Sequence, residues 1–419
     1  MGEADESYVP QVYDIAQVCR RVLELSPEDD CRVTFYAEGA FNKLYLIECA
    51  NGRSLLRVSL PVDPTRKTRG EVTTLRWIRR TTHVPVPKII AFDDTQDNEI
   101  GFEWILMELI PGISAYKRWR KLSMAEKTCF VEQVAEFQSQ FLRHSIEDAK
   151  FQSIGTLVPA DPPSDQTYSH PKPGRIVSHM FFMGDHFHYD IARGPFRSSH
   201  DWLSAYISII RQAQTKALAK TEDEDREDAK NCLRVATKLA KLLPKIFPAV
   251  LNPAEQTVLW HDDLSLQNIL VDDDGKVTAL IDWECVSCEP LWVAAEMPKF
   301  LLGNVREEEP RRDGYADASD DVMGSEELDD EGKDGLYWIH LMEYETTQLR
   351  KVYAAKMKEL WPQWETEVAY GALKRDFLGA VGRCAAGWYL KRVEQWIGAV
   401  EVGTFPRLMD VLQPKLNNV

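Results

Sequence analysis

The chain has 419 residues, of which 44% are hydrophobic and 28% charged, and its formal net charge is −16. This length allows two or three domains, or one two-lobed catalytic domain, with a sizeable core. An acidic chain lacks the basic surface that binding to a nucleic-acid backbone requires, and it is poorly suited to anionic membranes. The composition therefore favours a globular protein with neither a nucleic-acid nor a membrane partner.

The N-terminus and the cysteines indicate a cytoplasmic protein. The acidic start, Met1 to Ser7, is unlike a signal peptide, and no apolar run in the sequence is long enough to span a bilayer. Eight cysteines scattered over the chain do not form the pattern of a disulfide framework. The C-x-x-C pair, Cys285 and Cys288, lacks a second pair of ligands for zinc. We therefore expect reduced thiols in a reducing compartment.

The first hundred residues predict a helix followed by a small antiparallel sheet. Apolar residues of 10–25 recur at helical spacing. Asn51-Gly52 separates two apolar runs and is a strong hairpin signal. A short helix is predicted at 71–80, and prolines after it end the helical pattern. Five strands are predicted, with the short helix after the third, at 33–35, 44–48, 55–60, 89–91 and 102–107.

Beyond Pro111-Gly112 the chain turns helical. The Pro- and Gly-rich residues 155–175 are predicted as a loop, and Asp201 as the N-cap of a helix. Two short strands, joined by a turn at Asp274-Gly275, interrupt the helices. The helices are predicted at 125–145, 201–220 and 225–243, and again from 291 and from 336 onward.

These patterns divide the chain into three parts: an N-terminal helical extension at 1–30, a sheet-containing lobe at 31–109 and a helical lobe at 110–419. Within the last part, residues 306–334 hold thirteen Asp or Glu and four Arg or Lys, a net charge of −9. Such a composition cannot bury enough apolar surface to offset the entropy of ordering. We expect this acidic insert to be a mobile loop away from the site.

The sharpest signal is a polar string with the pattern H-x-D-x-x-x-x-N, followed by an apolar strand. It comprises His261, Asp263 and Asn268, and Asp282 comes fourteen residues after Asn268. Phosphoryl transfer needs a carboxylate that orients the attacking hydroxyl and accepts its proton. It also needs ligands for Mg²⁺, which prefers carboxylate and amide oxygens. The string predicts Asp263 as the catalytic base and Asn268 with Asp282 as magnesium ligands, while His261 braces the loop.

This string resembles the catalytic and metal loops of aminoglycoside phosphotransferases and choline-kinase-like enzymes, and the chain looks like a fungal-type member of that family. The resemblance implies an α+β, two-lobed protein-kinase-like fold, with a small antiparallel five-stranded N-terminal lobe and a larger helical lobe. It also implies ATP and Mg²⁺ as cofactors. The match covers most of residues 30–300 in the same order.

Upstream segments resemble the family's nucleotide site. Residues 38–45, with Gly39 and Asn42, resemble the turn that covers the nucleotide. Arg57 stands where the family has its phosphate-binding cation, and Glu71 where it has the helix glutamate that pairs with that cation. The resemblance implies that the hinge, which receives adenine, is formed by Met107, Glu108 and Leu109.

Departures from the protein-kinase pattern point to a small-molecule acceptor. Arg57 replaces the usual Lys but keeps the charge and binds phosphate through a planar fork. No D-F-G triplet and no A-P-E motif occur. Glu284, in Asp282-Trp283-Glu284, is a carboxylate that orients the metal ligands, an additional metal ligand or a structural acid. The pair His186 and His188 has no third metal ligand and is read as structural or near the acceptor.

We therefore predict an ATP- and magnesium-dependent kinase that phosphorylates a hydroxyl of a small molecule. An atypical protein kinase, or a nucleotide-binding pseudokinase that acts as an interaction module, stays open as an alternative. The acceptor is expected in the helical lobe, facing Asp263. Candidate walls are residues 155–197 and four C-terminal aromatic residues, each of which is more often found in a core: Trp338, Trp388, Tyr389 and Trp396.

Overall fold

The structure is a computed structural model, and it describes residues 10–160, 170–220, 224–249, 253–316 and 335–413. The predicted acidic insert lies outside the described residues from 317 to 334. In the part described, no helix combines the length and the apolar character needed to cross a membrane.

The N-terminal part consists of one helix and a five-stranded sheet into which a second helix is inserted. Every neighbouring pair of strands is antiparallel, and the order is β1-β2-β3-β5-β4. This confirms the predicted five strands and the position of the inserted helix. The elements are α1 (Val12–Val22), β1 (Cys31–Glu38), β2 (Asn42–Cys49), β3 (Gly52–Ser59), α2 (Arg66–Thr81), β4 (Ile89–Asp93) and β5 (Glu103–Glu108).

The sheet is buried on both faces, because β5 alternates between two apolar clusters. Trp104 and Leu106 pack with the apolar face of α1, whereas Ile105 and Met107 belong to the main core. Successive side chains of a strand point to opposite faces, so a continuous apolar run predicts this double burial. The sheet is thus held between α1 on one side and the rest of the molecule on the other.

Helix α2 begins at Arg66, five residues before the predicted start at Glu71. The prediction was wrong because the first turn is polar and shows no apolar period. In the structure that polar turn is nevertheless buried, with Lys67 and Thr68 inside the molecule. This shift brings a lysine into the interior.

The rest of the chain is mainly helical, as predicted. Helix α4 packs against α9, α6 against α7, and α10 against α7 and α8. The elements are β6 (Ile113–Ser114), α3 (Ala115–Arg118), α4 (Met124–Arg143), β7 (Leu157–Val158), β8 (Lys172–Pro173), α5 (His179–Phe182), α6 (Ser199–Lys220), α7 (Glu224–Ile246), β9 (Thr257–Trp260), β10 (Ile269–Val271), β11 (Val277–Leu280), β12 (Ser287–Pro290), α8 (Leu291–Ala294), α9 (Gly335–Leu360), α10 (Trp364–Ala386), α11 (Leu390–Glu401) and α12 (Leu408–Leu412).

The predicted N-cap of α6 was wrong. The helix begins at Ser199, and the backbone N–H of Asp201 donates to Ser198 Oγ at 3.1 Å. A serine hydroxyl that accepts from the third helical N–H is a common N-cap. Asp201 therefore lies in the first turn, where its charge still complements the helix dipole.

The fold that results is α+β, with a five-stranded sheet on one side of a cleft and helices on the other. The string predicted to be catalytic, from His261 to Asn268, lies between β9 and β10, and Asp282 follows β11. The short strand β6, after the hinge, pairs with β10. This pairing ties the chain that leaves the sheet directly to the catalytic segment.

Candidate active site

The loop after β9 is held by its own polar side chains. Asn268 Nδ2 donates to the backbone oxygen of Asp263 at 2.9 Å. His261 is buried, its Nε2 lies 3.0 Å from the backbone oxygen of Ile281, and its ring packs edge-on against Trp283. The predicted bracing role of His261 matches these contacts. The side chain of Asp263 stays about half exposed and faces the cleft.

The hairpin of β10 and β11 brings Asp282 next to Asn268. Ile269 pairs with Leu280, and the N–H of Ile281 donates to the backbone oxygen of Asn268 at 2.9 Å. Asp282, the next residue, has a φ of 65°. This left-handed conformation is rare for residues other than glycine, Asn and Asp, and it often marks functional sites.

The environment of Asp282 shifts its acidity. Burial raises the pKa of the Asp282 carboxyl, and the carboxylate of Glu284 raises it further. The guanidinium of Arg57 and the imidazole of His261 act in the opposite direction without cancelling these effects. A carboxylate in such a position gains from a nearby cation, because the cation favours its charged form.

Arg57 and Glu71 form a buried ion pair between β3 and α2. The sequence predicted this pair from resemblance alone, and the structure brings the two side chains together. Burial lowers the pKa of the Arg57 guanidinium, while Glu284 and Asp282 raise it. Arg57 also lines the cleft, so a fixed positive charge faces the space beside Asp282.

Glu284 is already bound by two groups of the sheet side. Lys67 Nζ lies 2.6 Å from Glu284 Oε2, and Asn42 Nδ2 donates to the same oxygen at 2.7 Å. Sequence reasoning missed Lys67, because the predicted helix began after it. Its position one helical turn before Glu71, on the same face, was a signal that could have found it.

The remaining residues that were predicted to bind the nucleotide line the same cleft, but not all of them direct a side chain into it. Gly39, Asn42, Met107, Glu108 and Leu109 all border it. The carboxylate of Glu108, however, accepts from the N–H of Lys88 at 3.2 Å and pairs with Arg79, so it is directed to the outer strand. The amide of Asn42 is bonded within the protein.

One cavity of about 1030 Å³ contains these groups and continues toward the helical side. This volume is at the upper end of ligand sites, enough for a nucleotide and a second small molecule. On the helical side the walls include Lys117, Ser178, His179, Asp262 and Lys299.

Two contacts shape the cleft beyond the sequence predictions. Lys299 Nζ lies 2.6 Å from Asp263 Oδ1, and both side chains are about half exposed. Phe41, from the turn between β1 and β2, packs against His179 and Phe182 of α5, with ring centroids 5.3 and 5.5 Å away. The turn that was predicted to cover the nucleotide therefore touches the insert that was predicted to wall the acceptor site.

Other candidate residues lie elsewhere. His186 Nδ1 is 2.9 Å from the backbone oxygen of Met180, and neither His186 nor His188 borders the cavity. In the described ranges, no three His, Cys, Asp or Glu side chains come together as a metal site. None of the four C-terminal aromatic residues borders the cavity: Trp338 and Trp396 are buried, while Trp388 and Tyr389 are exposed.

Comparison with known proteins shows which family this sequence matches. The model of the phosphotransferase enzyme family (APH) matches residues 32–293. A subtelomeric hrmA-associated cluster protein of Aspergillus fumigatus is 26% identical over 63% of this chain and 59% of its own length. Clavilactone A biosynthesis cluster protein Y of Ampulloclitocybe clavipes is 24% identical over 71% of this chain and 64% of its own. The chain thus matches about three fifths of the length of these relatives.

Other similar proteins differ in name and in extent. Altered inheritance of mitochondria protein 9, mitochondrial, of Candida tropicalis is 25% identical over 63% of this chain and 48% of its own length. Among solved structures, aminoglycoside phosphotransferase APH(4)-Ia has 14% identity, with a TM-score of 0.45 over 93% of this chain and 99% of its own.

Proposed function

Because the chain belongs to the phosphotransferase enzyme family, we propose that it transfers the γ-phosphate of ATP, with Mg²⁺, to a hydroxyl of a small molecule. The observation that carries this proposal is the convergence of Asp263, Asn268, Asp282 and Arg57 on one cavity. These are the groups that phosphoryl transfer requires: a carboxylate for the hydroxyl, oxygen ligands for a metal and a cation for phosphates.

In this proposal the nucleotide lies against the sheet. Its adenine occupies the space beside Met107 and Leu109. Backbone groups of the hinge form the hydrogen bonds to the edge of the base, because the Glu108 carboxylate points away from the cleft. Arg57, fixed by Glu71, binds the phosphates. The turn at Gly39 covers them, and the space where a side chain would begin at Gly39 is open, with no atom of the described residues within 4 Å.

The donor set of Asn268 and Asp282 fits Mg²⁺. The Asn268 amide nitrogen is bonded to the loop backbone, so its oxygen is the atom left for a cation. Two protein oxygens suffice, because this ion is usually completed by nucleotide phosphates and water. When bound, it neutralises charge that develops on the phosphates.

Asp263 is the group proposed to orient the acceptor hydroxyl and take its proton. A hydrogen bond from Asn268 to the backbone of Asp263 restricts this loop, and the Asp263 carboxylate is therefore held in position. The acceptor then lies between Asp263 and the walls at Ser178, His179 and Asp262. The contact of Phe41 with His179 encloses this space, which favours a small acceptor over a protein segment.

We propose a cytoplasmic site of action, because all eight cysteines are free thiols. A relative from Candida tropicalis has "mitochondrial" in its name. Fluorescence microscopy of the tagged chain in a fungal cell distinguishes the two locations. A signal confined to mitochondria would contradict the proposal.

The proposed function is tested by incubating the chain with γ-labelled ATP, Mg²⁺ and panels of hydroxyl compounds, such as amino sugars, amino alcohols and sugars. Transfer of label to a compound, and its loss in Asp263→Ala, is the expected result. Nucleotide binding without transfer to any compound would favour a binding module. Transfer to protein substrates alone would favour a protein kinase.

A further inference from the structure

A buried ion pair joins the sheet side of the cleft to the helical side. Lys67 Nζ lies 2.6 Å from Glu284 Oε2, and the two side chains are 2% and 13% exposed. Lys67 belongs to α2, which contacts β4 and β5, and Glu284 belongs to the segment between β11 and β12. The pair therefore spans the cleft beside Arg57, where the nucleotide phosphates are proposed to bind.

Asn42 closes this pair into a triangle of hydrogen bonds. Its Nδ2 donates to Glu284 Oε2 at 2.7 Å, and its Oδ1 accepts from Lys67 Nζ at 3.0 Å. The hydroxyl of Ser59, opposite Asn42 in the β2–β3 register, also donates to Oδ1, at 2.8 Å. Both ends of the amide are thus engaged, and a change of any member leaves a buried polar group without its partner.

The segment that carries Glu284 needs such a restraint. Asp282 and Cys285 have φ values of 65° and 61°, in the left-handed region that side chains rarely adopt. Conformations of this kind persist only where surrounding contacts determine them. Glu284 lies between these two residues, and its carboxylate is the group that the sheet side holds.

The charges in the triangle depend on each other. Burial acts to raise the pKa of the Glu284 carboxyl, but Lys67 and Arg57 outweigh it and the pKa is lowered. Burial and the neighbouring Arg57 lower the pKa of Lys67, whereas Glu284 raises it. Loss of either partner therefore leaves a buried charge uncompensated, which is far more disruptive than loss of an exposed pair.

We propose that Lys67, Asn42 and Glu284 form an interlobe clasp that positions Asp282, and that Glu284 is a positioning residue rather than a metal ligand. The proposal deepens the proposed function, since the position of Asp282 matters for the metal-bound nucleotide. The clasp itself is a property of the free protein, so it can be tested without turnover.

The experiment compares two ion pairs of the same type in the full chain. The clasp variants are Lys67→Met, Glu284→Gln and the double variant. The control variants are Lys127→Met, Glu345→Gln and their double: this pair joins α4 and α9 at 2.7 Å, with side chains 3% and 12% exposed, away from the cleft. Amide hydrogen exchange of the free protein and the affinity for ADP, with and without Mg²⁺, are measured for all six.

The clasp predicts that both single variants accelerate exchange in residues 281–288 by about tenfold or more, and that the double variant is no faster than the worse single one. It also predicts that Lys67→Met and Glu284→Gln weaken Mg²⁺-ADP by a similar factor and metal-free ADP less, because both act through the position of Asp282, a proposed metal ligand. The control variants lower stability but change neither readout. If Lys67→Met does not fold, Asn42→Ala, which keeps both charges, should produce the same pattern to a smaller extent.

Three results would overturn the clasp. Glu284→Gln that weakens only Mg²⁺-ADP, with Lys67→Met without effect, would make Glu284 a metal ligand. Unchanged exchange at 281–288 would remove the positioning role. Equal effects in the control variants would mean that the clasp contributes to overall stability and has no specific effect on Asp282. A chain that binds no nucleotide would contradict the proposed function instead, while exchange in the free protein would still decide the clasp.

Discussion

Lys299 Nζ lies 2.6 Å from Asp263 Oδ1, although the two residues are 36 positions apart, with β10, β11, β12 and α8 between them. Protein-kinase catalytic loops work through positioning and charge stabilisation around the transferred phosphoryl group. Lys299, which contacts the proposed base, is well placed to stabilise charge on the transferred group. Its side chain is more than half exposed and can turn toward the proposed phosphate site.

Lys299→Ala should therefore lower kcat by about 100-fold, the scale of losing one donor to developing charge. Lys299→Arg should keep most of the activity, because the charge is retained. Steady-state kinetics, with an acceptor identified in the panel of hydroxyl compounds, measure both variants. An increase in kcat for the Ala variant would instead mean that Lys299 blocks Asp263 until substrate displaces it.

Asp263→Ala should abolish most turnover but spare nucleotide binding. A positioned general base contributes about 10²–10⁴-fold in rate, and Asn268 bonds to the backbone oxygen of Asp263, which the substitution keeps. Asp274→Ala, in the exposed turn between β10 and β11, is the control. A kcat of Asp263→Ala within a few-fold of the wild type would move the base to another residue.

The sequence predicted those parts of the structure that depend on patterns among neighbouring residues. The five strands and the catalytic string were predicted because turns, apolar runs and the H-x-D-x-x-x-x-N spacing are local. Lys67 and Lys299 were missed because their partners lie far away in the sequence. The related hydrogen bond from Asn42 to Glu284 likewise spans 242 positions.

The start of α2 shows the same limit. Its polar first turn is buried by tertiary contacts with Asn42, Ser59 and Glu284, which no local periodicity reveals. The role of Glu284, left open between orienting the metal ligands, binding the metal and a purely structural one, likewise depended on knowing what lies across the cleft. Residues 155–197 were predicted as a possible wall, but only the fold places His179 against Phe41.

Asp282→Ala and Asn268→Ala should weaken Mg²⁺-ATP more than metal-free ATP. Both residues are proposed to supply oxygen ligands, and neither is proposed to contact the phosphates directly. Titration calorimetry with Mg²⁺ and with a chelator separates the two affinities. Equal losses under both conditions would refute a metal role and leave a structural one.

Arg57→Ala should raise the KM for ATP and lower kcat, whereas Arg57→Lys should retain part of both. The Ala change removes the phosphate cation and also leaves Glu71 buried without its partner. Glu71→Gln separates the two effects, because it keeps the cation and removes only the charge that holds it. Unchanged ATP kinetics for Arg57→Ala would exclude contact with the phosphates.

Glu289→Gln should stabilise the fold, and more at high than at low pH. Burial raises the pKa of the Glu289 carboxyl well above its ordinary 4.5, and the carboxylates of Asp262 and Glu255 add to this. Its Oε2 is buried and, within the described residues, has no hydrogen-bond partner. The folded chain therefore binds a proton more tightly here than the unfolded chain does.

The sign of this effect follows from proton binding. Between pH 4.5 and the raised pKa the folded state holds more protons than the unfolded state, so stability falls as pH rises. Glutamine, which does not ionise, removes that loss, and the gain should reach about 1 kcal/mol or more near neutral pH. Thermal unfolding at about pH 5 and about pH 8 measures it. The exposed Glu227→Gln serves as the control, and an equal change in both variants, or a gain that is largest at pH 5, would contradict a buried ionisation at Glu289.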